Sequence, residues 1–477
     1  MLNLTPKTAA SRGVLALLIV LWLVGTLRAF ALWAHDPLYA YANSYDQVRY
    51  TNCFHFYPDR PSSIPPEENS PNAPYSIYRF IENANPMCYW STELAFGGTT
   101  ALIWKLGELA GGDDRHDVRV AGALRWLALL GVSIGLSFAW LRRGDPRAAV
   151  ANAALVPLLF ADPGNTLYLN TFYAEWTALL GAYALLGTCL LWRGERVTRL
   201  RLALIAALAF ALALSKIQHL VLPLCLVIVV IVLERIAHRR FGWRGLAMAL
   251  GALAGLCVQG IQLGRDSGMM ESIHEYNSAD VVFTALLPFV DDRAALLEEL
   301  GIDPACAVYS GLHAWELPDL PERVCKGLDS FSRGKELSAM LRHPGMTLRL
   351  AGHGVLGLDP WIAKNLGEVE GRSVETIPGS VPGIGPTLHA FPWIQCAILA
   401  SPLLGWLVLL VRPGLRDGGR ALDFASLVVA LMLATLAITV LGDGLADTAK
   451  QGHLVVNAAL AWLIVSIVMR LPRRRHA

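Results

Sequence analysis

Apolar residues gather into ten runs along this chain, near 13–34, 117–141, 147–162, 173–192, 199–214, 218–233, 245–264, 391–411, 421–441 and 454–469. A bilayer core takes about 20 apolar residues of helix to cross, and a helix satisfies its own backbone there. The pattern predicts an all-α polytopic membrane protein of about ten transmembrane helices, the third, fifth and sixth of them short. The polar stretches between the runs alternate in kind. Those after every second run carry Arg142, Arg143 and Arg147; Arg193, Arg196, Arg199 and Arg201; Arg235, Arg239, Arg240 and Arg244; and Arg412, Arg416 and Arg420. The short opposing connectors, 163–172, 215–217 and 442–453, hold no arginine and only Lys216 and Lys450. Arginine marks the cytoplasmic side, and Lys7 and Arg12 at the front agree with Arg473, Arg474 and Arg475 at the back. Both termini are therefore expected in the cytoplasm, in the inner membrane of a bacterium, with the acidic connectors outside.

Two outer segments are long. In the first, about 35–116, the stretch Thr92 to Leu109 reads as a helix lying on the membrane surface, because a crossing there would bury Asp113, Asp114 and Arg115 and break the parity of spans. The second, about 265–390, shows short helical patterns at Asp291 to Leu300 and Lys335 to Arg342, then a flexible run from Pro378-Gly379 to Gly385-Pro386. The chain thus divides into 1–264, a seven-span module with its long first loop; 265–390, an extracytoplasmic region; and 391–477, three further spans with a basic tail. Ala29-Phe30-Ala31 has the form of a signal-peptide cleavage site, but Arg28 sits awkwardly in a cleavable segment, which favours a retained helix.

Composition agrees: 54% of the 477 residues are hydrophobic and 16% charged, a balance that excludes a water-soluble protein. The net charge of +2 says little about partners, since the basic residues serve as topology signals, and nothing points to nucleic acid. Of the cysteines, Cys53, Cys88, Cys306 and Cys325 fall in outer segments and suggest disulfides Cys53 to Cys88 and Cys306 to Cys325. A metal site is the competing reading, but no CxxC spacing or histidine cluster supports it; no cofactor is certain, and a divalent metal remains an option that the sequence does not support.

Candidate chemistry lies in the outer connectors. In Tyr45-Asp46-Gln47-Val48-Arg49-Tyr50 the carboxylate stands where it can take a proton while the arginine meets a phosphate; the bland alternative is an Asp to Arg surface pair one turn apart. The second connector runs from Asp162-Pro163 through Asn170 and Tyr173 to Glu175, at the start of an apolar run. Glu175 reads either as a polar-cavity carboxylate or as a favourable helix N-terminal charge, and Asp162 as a functional acid or a turn residue. The third is little more than Ser215-Lys216-Ile217-Gln218-His219, where the lysine snorkels or meets a lipid phosphate. Arg28 and Arg125, with Arg49, extend that question to a cationic pocket for an anionic lipid headgroup. The last connector, with Asp443 and Lys450, is similar and takes second rank, as do Tyr45, Tyr50, Asn170 and Tyr173. Gly352-His353-Gly354-Val355-Leu356-Gly357 matches GxGxxG, but in an outer loop it reads as a loop or packing feature.

These residues and their placement resemble the GT-C superfamily of membrane glycosyltransferases, nearest to the aminoarabinose and protein O-mannosyl transferases. That pattern has Asp-Glu-x-Arg-Tyr after the first span, an aspartate before proline in the second outer loop, and Thr-Lys or Ser-Lys in the third. Asp46-Gln47-Val48-Arg49-Tyr50, Asp162-Pro163 and Ser215-Lys216 stand in those places, over roughly residues 1–390. The resemblance implies Asp46 as general base, Arg49 and Lys216 as ligands of a donor phosphate, and Asp162 as a supporting carboxylate or metal ligand. It implies a polyprenyl-phosphate-linked sugar as donor, a glycan, lipid or protein as acceptor, and inverting displacement. Gln47 replaces the family's glutamate, which leaves a divalent metal without its second acid. The rivals are a transporter or flippase for a lipid-linked glycan, which predicts mid-membrane ionisable residues and a pseudo-repeat, and a non-catalytic envelope assembly protein.

Overall fold

In a computed structural model of the chain, the residues described are 9–41, 46–60, 73–81, 88–195, 198–238, 242–265, 267–358, 361, 363, 366–371, 383, 384, 387, 390–412 and 419–470. Every apolar run is a helix. The first seven are α1 (Ala9–Trp33), α3 (Arg119–Arg142), α4 (Pro146–Leu155), α5 (Glu175–Leu191), α6 (Arg199–Ala213), α7 (Leu222–His238) and α8 (Trp243–Arg265), with α2 (Glu93–Leu109) between the first two. After α9 (Ser267–Asp280), α10 (Arg293–Leu300), α11 (Arg333–Arg342) and α12 (Pro344–Leu356) come α13 (Pro392–Val411), α14 (Arg420–Asp443) and α15 (His453–Arg470). Seven helices among the described residues are long and apolar enough to cross a membrane, and those at Pro146–Phe160 and Glu175–Leu191 are shorter. Leu27, Leu204, Ile228, Leu250, Leu404 and Leu433 are exposed on the bundle's flanks, as lipid-facing positions require.

Local chemistry sets the element ends. Asp145 caps α4 by accepting the Ala148 N–H, with Pro146 in the first turn. Pro157 lacks an N–H and cannot continue the α-helical ladder, so the third run widens into a π-helical stretch over Val156–Phe160. Glycine decides the tightest crossing: a Cβ on Gly251 of α8 would lie 2.0 Å from the Ala206 carbonyl of α6. The arginines do more than mark a side. Arg244 pairs with Glu234 at 2.6 Å and Arg143 with Glu195 at 2.6 Å, while Arg193 joins Asp423 and Arg420 joins Asp145, tying neighbouring connectors together.

The helix expected over Thr92 to Leu109 of the first loop is present as α2. Trp104 is buried against Phe56 and His116, whereas Leu102, Ile103, Leu106 and Leu109 stay exposed, the one-sided arrangement of an interfacial helix. Small sheets, too short to leave a periodic signal, accompany it. β2 (Phe56–Pro58), β3 (Ile77–Phe80) and β4 (His116–Asp117) pair antiparallel, and β1 (Tyr39–Ala40) pairs with β5 (Glu368–Val369) of the second loop. Both expected disulfides are formed, Cys53 to Cys88 and Cys306 to Cys325.

The second loop folds about its own core, Phe283, Leu286, Leu297, Leu328 and Met346 among its members, with Cys306 and Cys325 buried in it. Its expected helices appear as α10, capped by Asp292, and α11, capped by Ser332. The GxGxxG residues occupy the end of α12, where Gly354 lies against Val440 of α14; they pack two helices together and form no phosphate-binding loop. The flexible run expected from Pro378 to Pro386 lies outside the described residues except for Gly383 and Ile384.

Candidate functional site at the loop end of the bundle

Asp46 precedes a single helical turn, Val48–Thr51, that brings Arg49 back to its carboxylate. Two restraints fix this turn. Cys53, one turn on, is bonded to Cys88, and the Tyr89 N–H donates to the Arg49 carbonyl at 2.7 Å. Tyr89 and Trp90 then dock on α8: the Tyr89 hydroxyl donates to Gln259 at 2.6 Å and the Trp90 N–H to Gln262 at 3.0 Å. Gln47 uses both ends of its amide, donating to the Tyr41 carbonyl and accepting the Phe172 N–H at 2.8 Å. A glutamate in its place, when ionised, could not donate to Tyr41.

Opposite Asp46 comes Lys450, from the connector between α14 and α15. Gly444 makes its approach possible, for its φ of +62° and the 2.5 Å that would separate a Cβ from the Asp280 carbonyl exclude other residues there. The Lys450 ammonium donates to Asp46 at 2.5 Å and also to Asp447, and lies 5.3 Å from the centre of the Tyr173 ring. Behind it, extended backbone at Lys216 separates α6 from α7 and turns that side chain inward, where it donates to Glu175 at 2.8 Å and Gln451 at 2.7 Å. Gln451 in turn donates to Asp443 at 3.0 Å. His453 places Nε2 2.9 Å from the Glu175 carbonyl, and Ser215 and His219 bond each other alongside. Chain segments far apart in sequence therefore close on one buried, shared network of Asp46, Arg49, Glu175, Lys216, Lys450, Asp443 and Asp447.

Burial works against ionisation of Asp46, but the Lys450 ammonium, the Arg49 guanidinium and, further off, Lys216 outweigh it and hold the carboxyl well below the usual carboxylate range. Burial likewise opposes the charge on Lys450, yet Asp447 and Asp46 raise its ammonium well above the ordinary lysine value. Burial pushes the Tyr50, Tyr168 and Tyr173 phenols far up, so they act as neutral hydroxyls. One buried polar atom beside the network, the Tyr168 hydroxyl, has no hydrogen-bond partner among the described residues, and its ring lies 5.8 Å from that of His453.

The structure divides the residues singled out in the sequence. Asp46, Arg49, Glu175, Lys216, Lys450, Asp443, Tyr173 and His219 belong to the network or border it. Asp162 does not join them: it caps the turn 163–166 by accepting the Gly164 N–H, and also accepts from Ile384 N–H at 2.9 Å and Arg28 at 3.3 Å. Arg28 donates in addition to the Pro157 carbonyl at 2.9 Å, because the π-helical stretch turns that oxygen toward it. This pair staples α1, the second connector and the second loop. Arg125 is also elsewhere, fully buried with Glu93 of α2 and the Leu169 carbonyl, the latter at 2.7 Å, while Thr177 donates to the same Glu93. The single cationic pocket expected of Arg28, Arg49 and Arg125 is thus three separate places, since each guanidinium meets its nearest acid first. Asn170 bonds the Trp33 carbonyl at 2.8 Å, and Tyr45 lies outside the described residues. Among the described residues no three His, Cys, Asp or Glu side chains gather to hold a metal.

Sequence reasoning ranked Lys450 too low and passed over Asp447, Gln451, His453 and Glu93. One signal pointed to Lys450: it and Lys216 are the only cations in the short connectors of that side.

A family model described as the YfdI N-terminal transmembrane domain matches residues 7–349, and the chain belongs to that family of membrane-spanning proteins. No curated protein and no solved structure matches the chain. The matched stretch holds Asp46, Arg49, Glu175 and Lys216, whereas Asp443, Asp447, Lys450, Gln451 and His453 lie beyond it.

Proposed function

We propose that this YfdI-family protein is a GT-C-type membrane glycosyltransferase, moving a sugar from a polyprenyl-phosphate-linked donor to a glycan, lipid or protein acceptor of the cell envelope. The reaction takes place at the loop end, on the extracytoplasmic side of a bacterial inner membrane. The observation that carries this reading is the sharing of buried cations, with Asp46 held between Arg49 and Lys450 and Lys216 close behind on Glu175.

A carboxylate so strongly stabilised as an anion is a weak base until something draws its cations away. A donor phosphate does this. Docked against Arg49, Lys216 and Lys450, it takes up positive charge now resting on Asp46 and Glu175, and Asp46 gains basicity as the donor binds. Asp46 then removes the proton of the acceptor hydroxyl, whose oxygen forms a bond to the anomeric carbon on the face opposite the phosphate. The bond from that carbon to the phosphate oxygen breaks, its electron pair leaves with the polyprenyl phosphate, and the configuration inverts. The cations stabilise that leaving anion, so no acid need protonate it. Tyr168, with its buried hydroxyl to spare, suits a hydroxyl of a sugar. Asp162 has a positioning part only, through Arg28.

Membranes carrying the full chain, supplied with labelled polyprenyl-phosphate hexoses, test the reading. Asp46→Asn is expected to lower transfer by about a hundredfold or more at unchanged protein level, and undiminished transfer by that variant would end it.

A further inference from the structure

Two apolar cavities open at the arginine end of the bundle, and none of the residues that line them belongs to the loop-end network. The larger, about 610 Å³, lies among α4, α5, α13, α14 and α15, with Leu155, Leu186, Val428, Leu431 and Val465 in its walls. The smaller, about 250 Å³, lies between α13 and α15 beside Ser401, Leu463 and Ile467. They share Gly405, Trp462, Ser466 and Arg470. Trp462 divides them, resting so close on Gly405 that a Cβ there would be 2.3 Å from the indole.

The mouth is cationic. Arg420 lines the larger cavity with its side chain 48% exposed, paired with Asp145 and 5.6 Å from the centre of the Trp140 ring. Arg470 borders both cavities and is exposed, with no ion pair among the described residues. Two apolar chambers that meet at one arginine match the form of a diacyl lipid, two chains under one head. A guanidinium beside a groove between spans is suited to an anionic phosphate.

We propose that these cavities bind one anionic diacyl glycerophospholipid of the leaflet at the arginine end, a chain in each and its phosphate on Arg470 and Arg420. The larger cavity continues along α15 to Leu454, beside His453, but the headgroup position at Arg470 and Arg420 lies at the opposite end of that helix and does not depend on the proposed transfer reaction.

The full chain in neutral detergent, titrated with phosphatidylglycerol or phosphatidylcholine and read by native mass spectrometry, tests this. The wild type is expected to retain phosphatidylglycerol with a preference on the order of tenfold. The double variant Arg420→Gln/Arg470→Gln should fall to the phosphatidylcholine level. Ala461→Trp, filling the larger chamber, should lose both lipids, with its unfolding midpoint in detergent alone verifying the fold and Ala458→Leu serving if it fails. Asp46→Asn should bind lipid like the wild type whatever its transfer activity. Equal retention of both lipids by the wild type, or undiminished phosphatidylglycerol on the double variant, would overturn the proposal.

Discussion

The two ends of the helix bundle handle charge differently. At the arginine end, cations meet acids in separate small groups: Arg244 with Glu234, Arg193 with Asp423, Arg420 with Asp145, and Arg143 with Arg201 on Glu195. At the loop end, Lys450 is divided between Asp46 and Asp447, and Lys216 between Glu175 and Gln451, with both lysines, Glu175 and Gln451 buried and the two aspartates half-buried. A local pair is a staple whose loss is felt where it stands. A shared buried network is one electrostatic object, in which a change at one member alters the others and an incoming anion can redistribute the whole. Arg125 with Glu93 is instructive between them, being as buried as anything in the network yet engaged in a pair of its own.

The sharpest way to break this comparison is to exchange one charge at each end. Lys450→Met is expected to reduce hexose transfer by about a hundredfold, with Asp46→Asn at least as severe, whereas Arg420→Gln should leave transfer within about twofold because a partly exposed pair contributes little. Transfer assays giving equal losses at the two ends would erase the distinction. Next in size is the isolated buried pair: Arg125→Met should lower stability by about 3–5 kcal/mol by leaving Glu93 uncompensated, and adding Glu93→Gln should restore part of it, as seen in thermal unfolding in detergent. Cys53→Ser should cost about 2–4 kcal/mol and also lower transfer, since the disulfide restrains the turn that carries Asp46 and Arg49. If transfer survives with stability alone reduced, that turn is held by Tyr89 and Gln47 without it.

A smaller effect concerns pH. Burial, with Asp443 and Asp447 nearby, raises the Asp280 carboxyl to about 8 from an ordinary value of 3.8. The folded chain then binds a proton there that the unfolded chain has released, so stability attributable to Asp280 falls as pH rises from about 4 toward 8. Asp280→Asn still accepts the Ala314 N–H and should flatten that slope, which runs at about 1.4 kcal/mol per pH unit between the two values, so the variant gains stability at pH 8 and nothing at pH 4. Asp46 behaves oppositely. Its depressed value keeps its stabilising contribution intact above the ordinary carboxylate range, and that contribution fades only as strong acid carries the pH below it. Unfolding midpoints measured from pH 2 to 8 for Asp280→Asn and Asp46→Asn separate the two signs, the first above pH 4 and the second below it.

The helices and their alternation were legible because they answer to local rules. A run of Leu, Val and Ala long enough to cross a bilayer has one stable form there, Asp145-Pro146 announces a helix start, and the arginines of 193–201 or 235–244 sort the connectors without reference to any distant residue. The same locality made Asp46 and Arg49 readable as a pair. Glu175 and Lys216 were visible as charges in apolar company, though not as partners of each other. Asp-Pro before a turn reads alike whether the acid is chemical or a cap, and the structure places Asp162 as the cap of the turn 163–166, away from the network.

Sequence by itself marked the apolar helices, sorted the connectors by end and suggested which cysteines join, while the helices Ser267–Asp280 and Pro344–Leu356 of the second loop left no readable pattern. Tertiary structure alone decided that Lys450 meets Asp46 across some four hundred residues, that Arg125 spends its charge on Glu93, and that Gly354 packs a helix instead of a nucleotide. The reason is range. Hydropathy and capping act within a few residues, whereas a buried charge must find an opposite charge wherever the fold brings one, and no pattern along the chain records that meeting.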